Sequence, residues 1–195
     1  MSNQNYVLLL NGYPGVGKLT VAEELARHTN GLHVIDNHML NNPIFALVRE
    51  NNSTKIPSEA WVSIRNIRKI VLTALSSYAS PNLNFAFTNC LAEEDPDDVN
   101  IYEQIKESAT QGQRLFIPIL LTCSLEENKK RIVTESREVK MKMRDANDIA
   151  EMREDFTLVG KNHPHAAFFD TTELSPQDTA AKVRNHIQQV LKVQF

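Results

Sequence analysis

The stretch from Tyr6 to Ala26 reads YVLLLNGYPGVGKLTVAEELA and sets three patterns in a row. Tyr6–Leu10 is a short apolar run, as a strand buried on both faces would be. Gly12, Tyr13, Pro14, Gly15, Val16, Gly17 and Lys18 follow and fit the spacing G-x-x-x-x-G-K. Ala22, Leu25, Ala26 and Thr29 then recur at helical spacing, with Gly31 placed as a C-terminal cap. In such a strand, loop and helix the glycines let the backbone wrap tightly. Successive N–H groups and the helix N-terminus then face phosphate oxygens, and Lys18 adds a mobile positive charge. An ordinary strand-to-helix turn needs one small residue, not glycines, a proline and a lysine at fixed spacing. The loop therefore predicts a site for the phosphates of ATP with magnesium. The position after Lys18 usually carries the hydroxyl that meets the metal. Here it is Leu19, and the hydroxyl falls at Thr20, the candidate metal-side group, with the ion held largely through water and phosphate.

Further strand candidates are Leu32–Ile35, Leu83–Thr88, Leu115–Thr122 and Ala166–Phe169, and helix-period segments alternate with them. That alternation predicts an α/β fold with a parallel sheet. Ile64, Ile67, Val71, Leu75 and Tyr78 make one helical stripe, with Ser58 as N-cap and Pro81 past the end, while Arg65, Arg68 and Lys69 lie off it. Asp95, Pro96, Asp97 and Asp98 open a helix that carries Val99, Tyr102, Lys106 and Ala109 and stops at Gly112. Ser124 with Glu127 is a capping box, and Ser175-Pro176 opens a last helix with Val183, Ile187, Val190 and Leu191. Residues 134–162 are charged, lack a continuous apolar stripe and read as a solvated helical excursion. It is either a mobile cover over a site or a plain exposed helix pair.

The 195 residues suit a single domain. With 21 basic against 24 acidic residues, net −3, no field gathers nucleic acid or an anionic membrane. Cys90 and Cys123 follow strand-like runs and read as reduced, buried side chains, which suits a cytoplasmic protein. The polar N-terminus and the short run after it predict no targeting or membrane segment. Both a monomer and a homodimer are compatible with the sequence.

The opening run together with VIDNHMLNNPIF, FAFTNCL, PILLTCSLEENKKRI and HPHAAFFDTTELSP resembles, over nearly the whole chain, a bacterial family of P-loop kinase-like ATPases. More distantly the chain is similar to shikimate kinase, gluconate kinase and chloramphenicol phosphotransferase. The resemblance implies the P-loop NTPase fold with sheet order 2-3-1-4-5, an acceptor site after the second strand and an arginine-bearing lid. The adenylate-kinase-like group shares the hydroxyl displaced by one residue. By the same resemblance, Asp36 sits beside the acceptor hydroxyl, where it accepts the proton or orients the nucleophile. The plainer reading of Asp36 is a turn or cap residue. His38 is a weaker substrate-side candidate. Arg49, Arg65 or Arg68 would hold an anionic acceptor, a nucleotide or a carboxylate.

Where relatives carry an aspartate that supports magnesium, this chain has Asn89, leaving Asp36, Glu93, Asp95 or water to compensate. Among the lid cations Arg131, Arg137, Lys140, Lys142 and Arg144, the resemblance selects Arg137 for the transferring phosphoryl group, with Arg131 close behind. A mixed-charge face pairing with Glu135, Glu138 and Asp145 is the alternative. The resemblance implies that the base meets the backbone at Asp170-Thr171-Thr172, together with lid-side residues. Asn128-Lys129 is followed by Lys130-Arg131 and not by the aspartate of a guanine-reading motif, so ATP is expected in preference to GTP. His163-Pro164-His165 lacks a ligand cluster and reads as loop imidazoles. The leading expectation is an ATP-dependent kinase acting on a hydroxyl of a small molecule. The alternatives are a nucleoside or nucleotide kinase and a non-catalytic ATP-binding switch. A polynucleotide end kinase is disfavoured by the acidic balance.

Overall fold

The computed structural model describes residues 4–50, 55–133 and 146–192. Its strands are β1 Tyr6–Gly12, β2 Leu32–Asp36, β3 Asn84–Asn89, β4 Leu115–Thr122 and β5 Ala167–Asp170. They form one parallel sheet in the order β2-β3-β1-β4-β5. The described helices are α1 Lys18–Arg27, α2 Asn37–Val48, α3 Ser58–Ser77, α4 Pro96–Gln111, α5 Leu125–Ile132, α6 Ala146–Asp155 and α7 Pro176–Lys192. This is the expected P-loop NTPase topology. From β1 the chain turns to β2 on one side and later reaches β4 on the other, so the crevice of the sheet lies at the C-terminal ends of β1 and β3. None of the described helices is long and apolar enough to cross a membrane.

β1 is buried along its whole length because helices cover both faces of the sheet. Leu8 and Leu10 pack with Val21 and Leu25 of α1 and Val183 and Ile187 of α7. Val7 and Leu9 point the other way, to Leu72 and Leu75 of α3 and Tyr102 and Ile105 of α4. The predicted caps at Asp95, Ser124 and Ser175 form: each side chain accepts a backbone N–H of the following turn.

Several local expectations need correction. α1 ends at Arg27 with His28 as its C-cap, and Gly31, at φ 74°, instead turns the chain into β2. Pro57 takes the N-cap position of α3, and the Ser58 hydroxyl bonds Glu59. The buried stripe of α3 is Ala60, Ile64, Arg68, Leu72 and Leu75, whereas Tyr78 is 80% exposed. Arg68 therefore lies on the stripe, not off it. α2 carries Pro43 and three asparagines, poor helix formers, and was not expected. Burial of Leu40 and Phe45 and an edge contact of Phe45 with Trp61 of α3 hold it. Cys123 is buried, but Cys90 is partly exposed. The returning part of the 134–162 excursion is not wholly solvated, since Ile149 and Val159 are buried.

Asn11 closes the end of β1. It is fully buried, and its carboxamide makes four hydrogen bonds. Nδ2 donates to the carbonyls of Leu91 and Val159, both at 3.0 Å. Oδ1 accepts from the N–H groups of Leu91 at 2.8 Å and Gly12 at 3.0 Å. Removing the side chain would strand four buried backbone groups. Asn11→Ala is expected to cost about 3–5 kcal/mol in urea unfolding, the sum of several unsatisfied buried groups. Asn11→Asp keeps the acceptor but turns a buried carboxylate oxygen to the carbonyls of Leu91 and Val159, so it should cost at least as much as Asn11→Ala. A loss below about 1 kcal/mol for Asn11→Ala would show that water replaces the carboxamide.

Candidate functional site

The phosphate loop is built by backbone conformation. Gly15 and Gly17 have φ of 92° and 95°, values that L side chains rarely adopt. A Cβ on Gly15 would also stand 2.5 Å from Nδ2 of Asn128. That amide, fully buried on α5, donates to the Pro14 carbonyl at 2.7 Å and fixes the crown of the loop. Lys18 Nζ donates to the carbonyls of Gly12 at 2.5 Å and Tyr13 at 2.9 Å, so it spans the loop it serves. Val16 is buried beneath it, and the first turn of α1 holds no acid to compete with an anion. Leu19 is partly buried. Thr20 is exposed and makes no side-chain hydrogen bond among the described residues.

On the other side of the crevice, Asp36 ends β2 and is buried. It stands at the N-cap position of α2, yet its side chain caps nothing. Instead Oδ1 accepts from the Thr88 hydroxyl of β3 at 2.6 Å. His38 follows on α2, its Nδ1 3.2 Å from Oδ1 of Asn42. Arg68 is buried and donates from Nη2 to Oδ1 of Asn37 at 3.1 Å, while Arg65 pairs with Asp97 at 3.2 Å. Asn89 is buried beside Asn11 in the sheet register, and its side chain makes no hydrogen bond among the described residues. Of the three acids expected to stand in for an aspartate there, Glu93 pairs with Lys161 at 3.2 Å, Asp95 caps α4, and Asp36 accepts from Thr88. The acid that turns inward is Asp98, whose Oδ2 accepts from the Ala92 N–H at 3.0 Å. Sequence reasoning took it for a first-turn helix acid only.

The third side joins α5 and the loop after β5. Arg131 donates to Oε1 of Glu127 at 2.8 Å and to Oγ1 and the carbonyl of Thr171, both at 2.9 Å. Thr171 is itself buried, its hydroxyl between the carbonyls of Thr122 and Val16 at 3.0 and 3.2 Å. It ties the loop after β5 to the phosphate loop. Arg137, Lys140, Lys142 and Arg144 lie outside the described residues. Arg153 on α6, not singled out in the sequence, does reach the phosphate loop. Its Nη1 donates to Oδ1 of Asn128 at 3.1 Å, and its guanidinium lies 5.2 Å from the ring centre of Tyr13. The Tyr13 hydroxyl donates to the Phe156 carbonyl at 2.6 Å. The signal was Ile149, one helical turn earlier and fully buried, which marks the inward face of α6. His163 meets Phe116 edge-on and accepts from the His165 N–H, as loop imidazoles would.

The donor set suits magnesium carried by a nucleotide. Among the described residues no three His, Cys, Asp or Glu side chains cluster to hold a metal, and the exposed Thr20 hydroxyl offers one hard oxygen on the phosphate side.

The sequence profile of the AAA domain family matches residues 8–155, about three quarters of the chain. The chain belongs to this family. A search of curated proteins by sequence gives no match. Among solved structures, a gluconokinase from Sinorhizobium meliloti is similar with a TM-score of 0.66 and 11% identity, covering 100% of this chain and 97% of its own. A tunicamycin resistance protein of Deinococcus radiodurans gives 0.59 and 16%, with coverage of 94% and 96%. Shikimate kinase from Acinetobacter baumannii gives 0.54 and 20%, with coverage of 96% and 95%. At these identities the likeness is one of fold.

Asp98 carries a consequence for stability. Burial pushes its carboxyl up to about 6, Asp95 and Asp97 add to the rise, and the Ala92 N–H and Arg68 oppose it. An unfolded aspartate titrates near 3.9. The folded state thus binds this proton more tightly, and stability falls as pH rises from about 4 to about 6. Asp98→Asn keeps an acceptor for Ala92 and removes the ionisation. Its melting temperature should exceed the parent's by about 2–4 °C above neutrality and match it near pH 4, in parallel thermal scans. An equal shift at both pH values would point to packing instead of charge.

Proposed function

We propose that this chain is an ATP-dependent phosphotransferase that moves the γ-phosphoryl group of ATP to a hydroxyl of a small molecule. The observation that carries this reading is Asp36, a buried carboxylate at the end of β2 that neither caps α2 nor packs as a turn residue. It stands across the crevice from the phosphate loop and is oriented by Thr88. A crevice with phosphate donors on one side and a held carboxylate on the other is what phosphoryl transfer to an alcohol needs, since positioning and charge dominate that chemistry.

In this reading the β- and γ-phosphates rest on the N–H groups from Gly12 to Thr20, and Lys18 leaves its two loop carbonyls to meet them. The Thr20 hydroxyl, with phosphate oxygens and water, would hold magnesium, which supplies charge neutralisation at the phosphates when bound. Asp36 orients the acceptor hydroxyl and takes its proton as the new O–P bond forms and the bond from γ-phosphorus to the bridging oxygen breaks. ADP leaves with that electron pair. Arg137 and Arg153 are the lid-side cations for the charge spread over the transferring group. Arg131 and the Thr171 loop form the wall for the base. His38, Arg65, Arg68 and Asn89 line the acceptor side, and the missing guanine-reading motif favours ATP.

Lys18→Ala should abolish ATP binding in calorimetry while circular dichroism stays unchanged, because Lys18 is not part of the buried core. Asp36→Asn should keep ATP affinity and lower turnover by about 10²–10⁴, the usual range for loss of a general base. The readout is ADP release with sugars, hydroxy acids, nucleosides and hydroxyl-bearing antibiotics as acceptors. Unchanged turnover would return Asp36 to a structural role. ATP binding without ADP release on any acceptor would leave a nucleotide-binding module.

A further inference from the structure

Arg68 and Asp98 face one another on the acceptor side without joining. Arg68 is 6% exposed, yet its one side-chain hydrogen bond among the described residues is to Asn37. A guanidinium has five N–H donors. Among the described residues none of its nitrogens is both cut off from solvent and unbonded, so the donors that lack a protein partner stay open to an oxygen of water or of a ligand. Asp98 is near enough for each charge to act on the other, but the two make neither a hydrogen bond nor an ion pair. Asp98 cannot swing freely to close the gap, because Ala92 holds Oδ2. Nor is Arg65 available to help, being taken by Asp97. On the loop side, the field of Asp98 also reaches Cys90, whose other charged neighbour is Lys18.

The gap separates a fork of donors from a carboxylate. A group that both accepts and donates fits it, and an alcohol hydroxyl does both. A phosphate or carboxylate would gain Arg68 and oppose Asp98, with Asp95 and Asp97 behind it. Arg65 and Arg68 supply two positive charges here against three negative ones from Asp95, Asp97 and Asp98. We propose that Asp98 is a specificity-determining residue which, with Arg68, shapes this wall for a hydroxyl of an uncharged polyol and turns away anionic acceptors. The proposal rests on the phosphotransferase reading and names its substrate class. The raised carboxyl of Asp98 adds a pH dependence: the exclusion holds above about 6 and fades below it.

The test separates the wall from the reaction. Sulfate keeps its charge across the range of interest and serves as the anion probe, with the Arg68 Nε–H resonance as reporter. The wild-type protein should show no saturable shift at about pH 7.5, while Asp98→Asn and Asp98→Ser should bind sulfate at least about tenfold more tightly, as removal of a like charge predicts. Wild type at about pH 5 should move toward the variants, because Asp98 is then mostly protonated. Two variants, each checked by its backbone amide spectrum, guard against a folding defect in one. Sulfate affinity of the wild type within about twofold of the variants at neutral pH would overturn the proposal. A parallel ADP-release assay compares ribose with ribose 5-phosphate, and the proposal expects faster release with ribose. Release favouring the phosphorylated sugar overturns the proposal and leaves the phosphotransferase reading in place. Sulfate exclusion without ADP release on any acceptor overturns that reading and supports the charge filter.

Discussion

The crevice is organised around the carboxamide of Asn11. Its hydrogen bonds reach the first residue of the phosphate loop, the loop after β3 and the loop that returns from α6. Those three segments lie far apart in the chain, and each forms a different side of the crevice. Leu91 and Val159, both bonded to Asn11, also pair with each other at 3.0 Å, and Ala92 bridges Leu158. Ala92 in turn anchors Asp98. A displacement of any one of these loops would break a buried hydrogen bond in the others, which is costly where water cannot replace it. The phosphate loop and the segment from Leu91 to Asp98 are thereby held in one frame.

Within that frame the cations differ in how they are held. Lys18 lies on backbone carbonyls, and Arg153 on a carboxamide oxygen and an aromatic face. The neutral oxygen that holds Arg153 gives up a cation to a phosphate at modest cost, since charge-assisted bonds are roughly twice as strong as neutral ones. Arg65, tied to a carboxylate, is held more firmly. The same contrast runs through Asn128, which bonds Pro14 with one end of its amide and Arg153 with the other. An anion that draws Arg153 away would release a contact on the side chain that holds the loop.

What could be read in the sequence follows from how local each determinant is. The strands announced themselves because a sheet covered on both faces demands apolar runs, and the phosphate loop because its glycines are imposed by backbone angles within a few residues. α2 was hidden by Pro43 and its asparagines; its stability comes from Phe45 on Trp61, a contact between segments. Arg68 lies off the apolar stripe that the sequence offers for α3, where it is a candidate for an anionic acceptor, and its burial comes from packing between segments, with Asn37 of α2 as its partner. Nothing in its neighbours marks Asn11, since its partners Leu91 and Val159 lie far along the chain. Asp98 looked like an ordinary first-turn acid, and nothing near it in sequence tells that α3 brings a buried guanidinium to face it.

In the proposed reaction the arrangement of acids also bears on how the two substrates would be kept apart. Asp36 and Asp98 stand on the acceptor side, while the loop side offers N–H groups and Lys18. A triphosphate entering the crevice is therefore drawn to one side and repelled from the other, which fixes its direction before any base contact is made. Screening in bulk solvent reduces such forces beyond about 8 Å at physiological ionic strength, but low-dielectric walls preserve them better. Loss of charge on the acceptor side would thus have two effects with one cause. It would admit anionic acceptors, and it would let ATP phosphates compete for the acceptor wall. The neutral Asn89 fits this division. An additional carboxylate at the end of β3, close to the phosphate loop, would blur the boundary between the two sides, whereas an amide leaves the gradient of charge to Asp36 and Asp98.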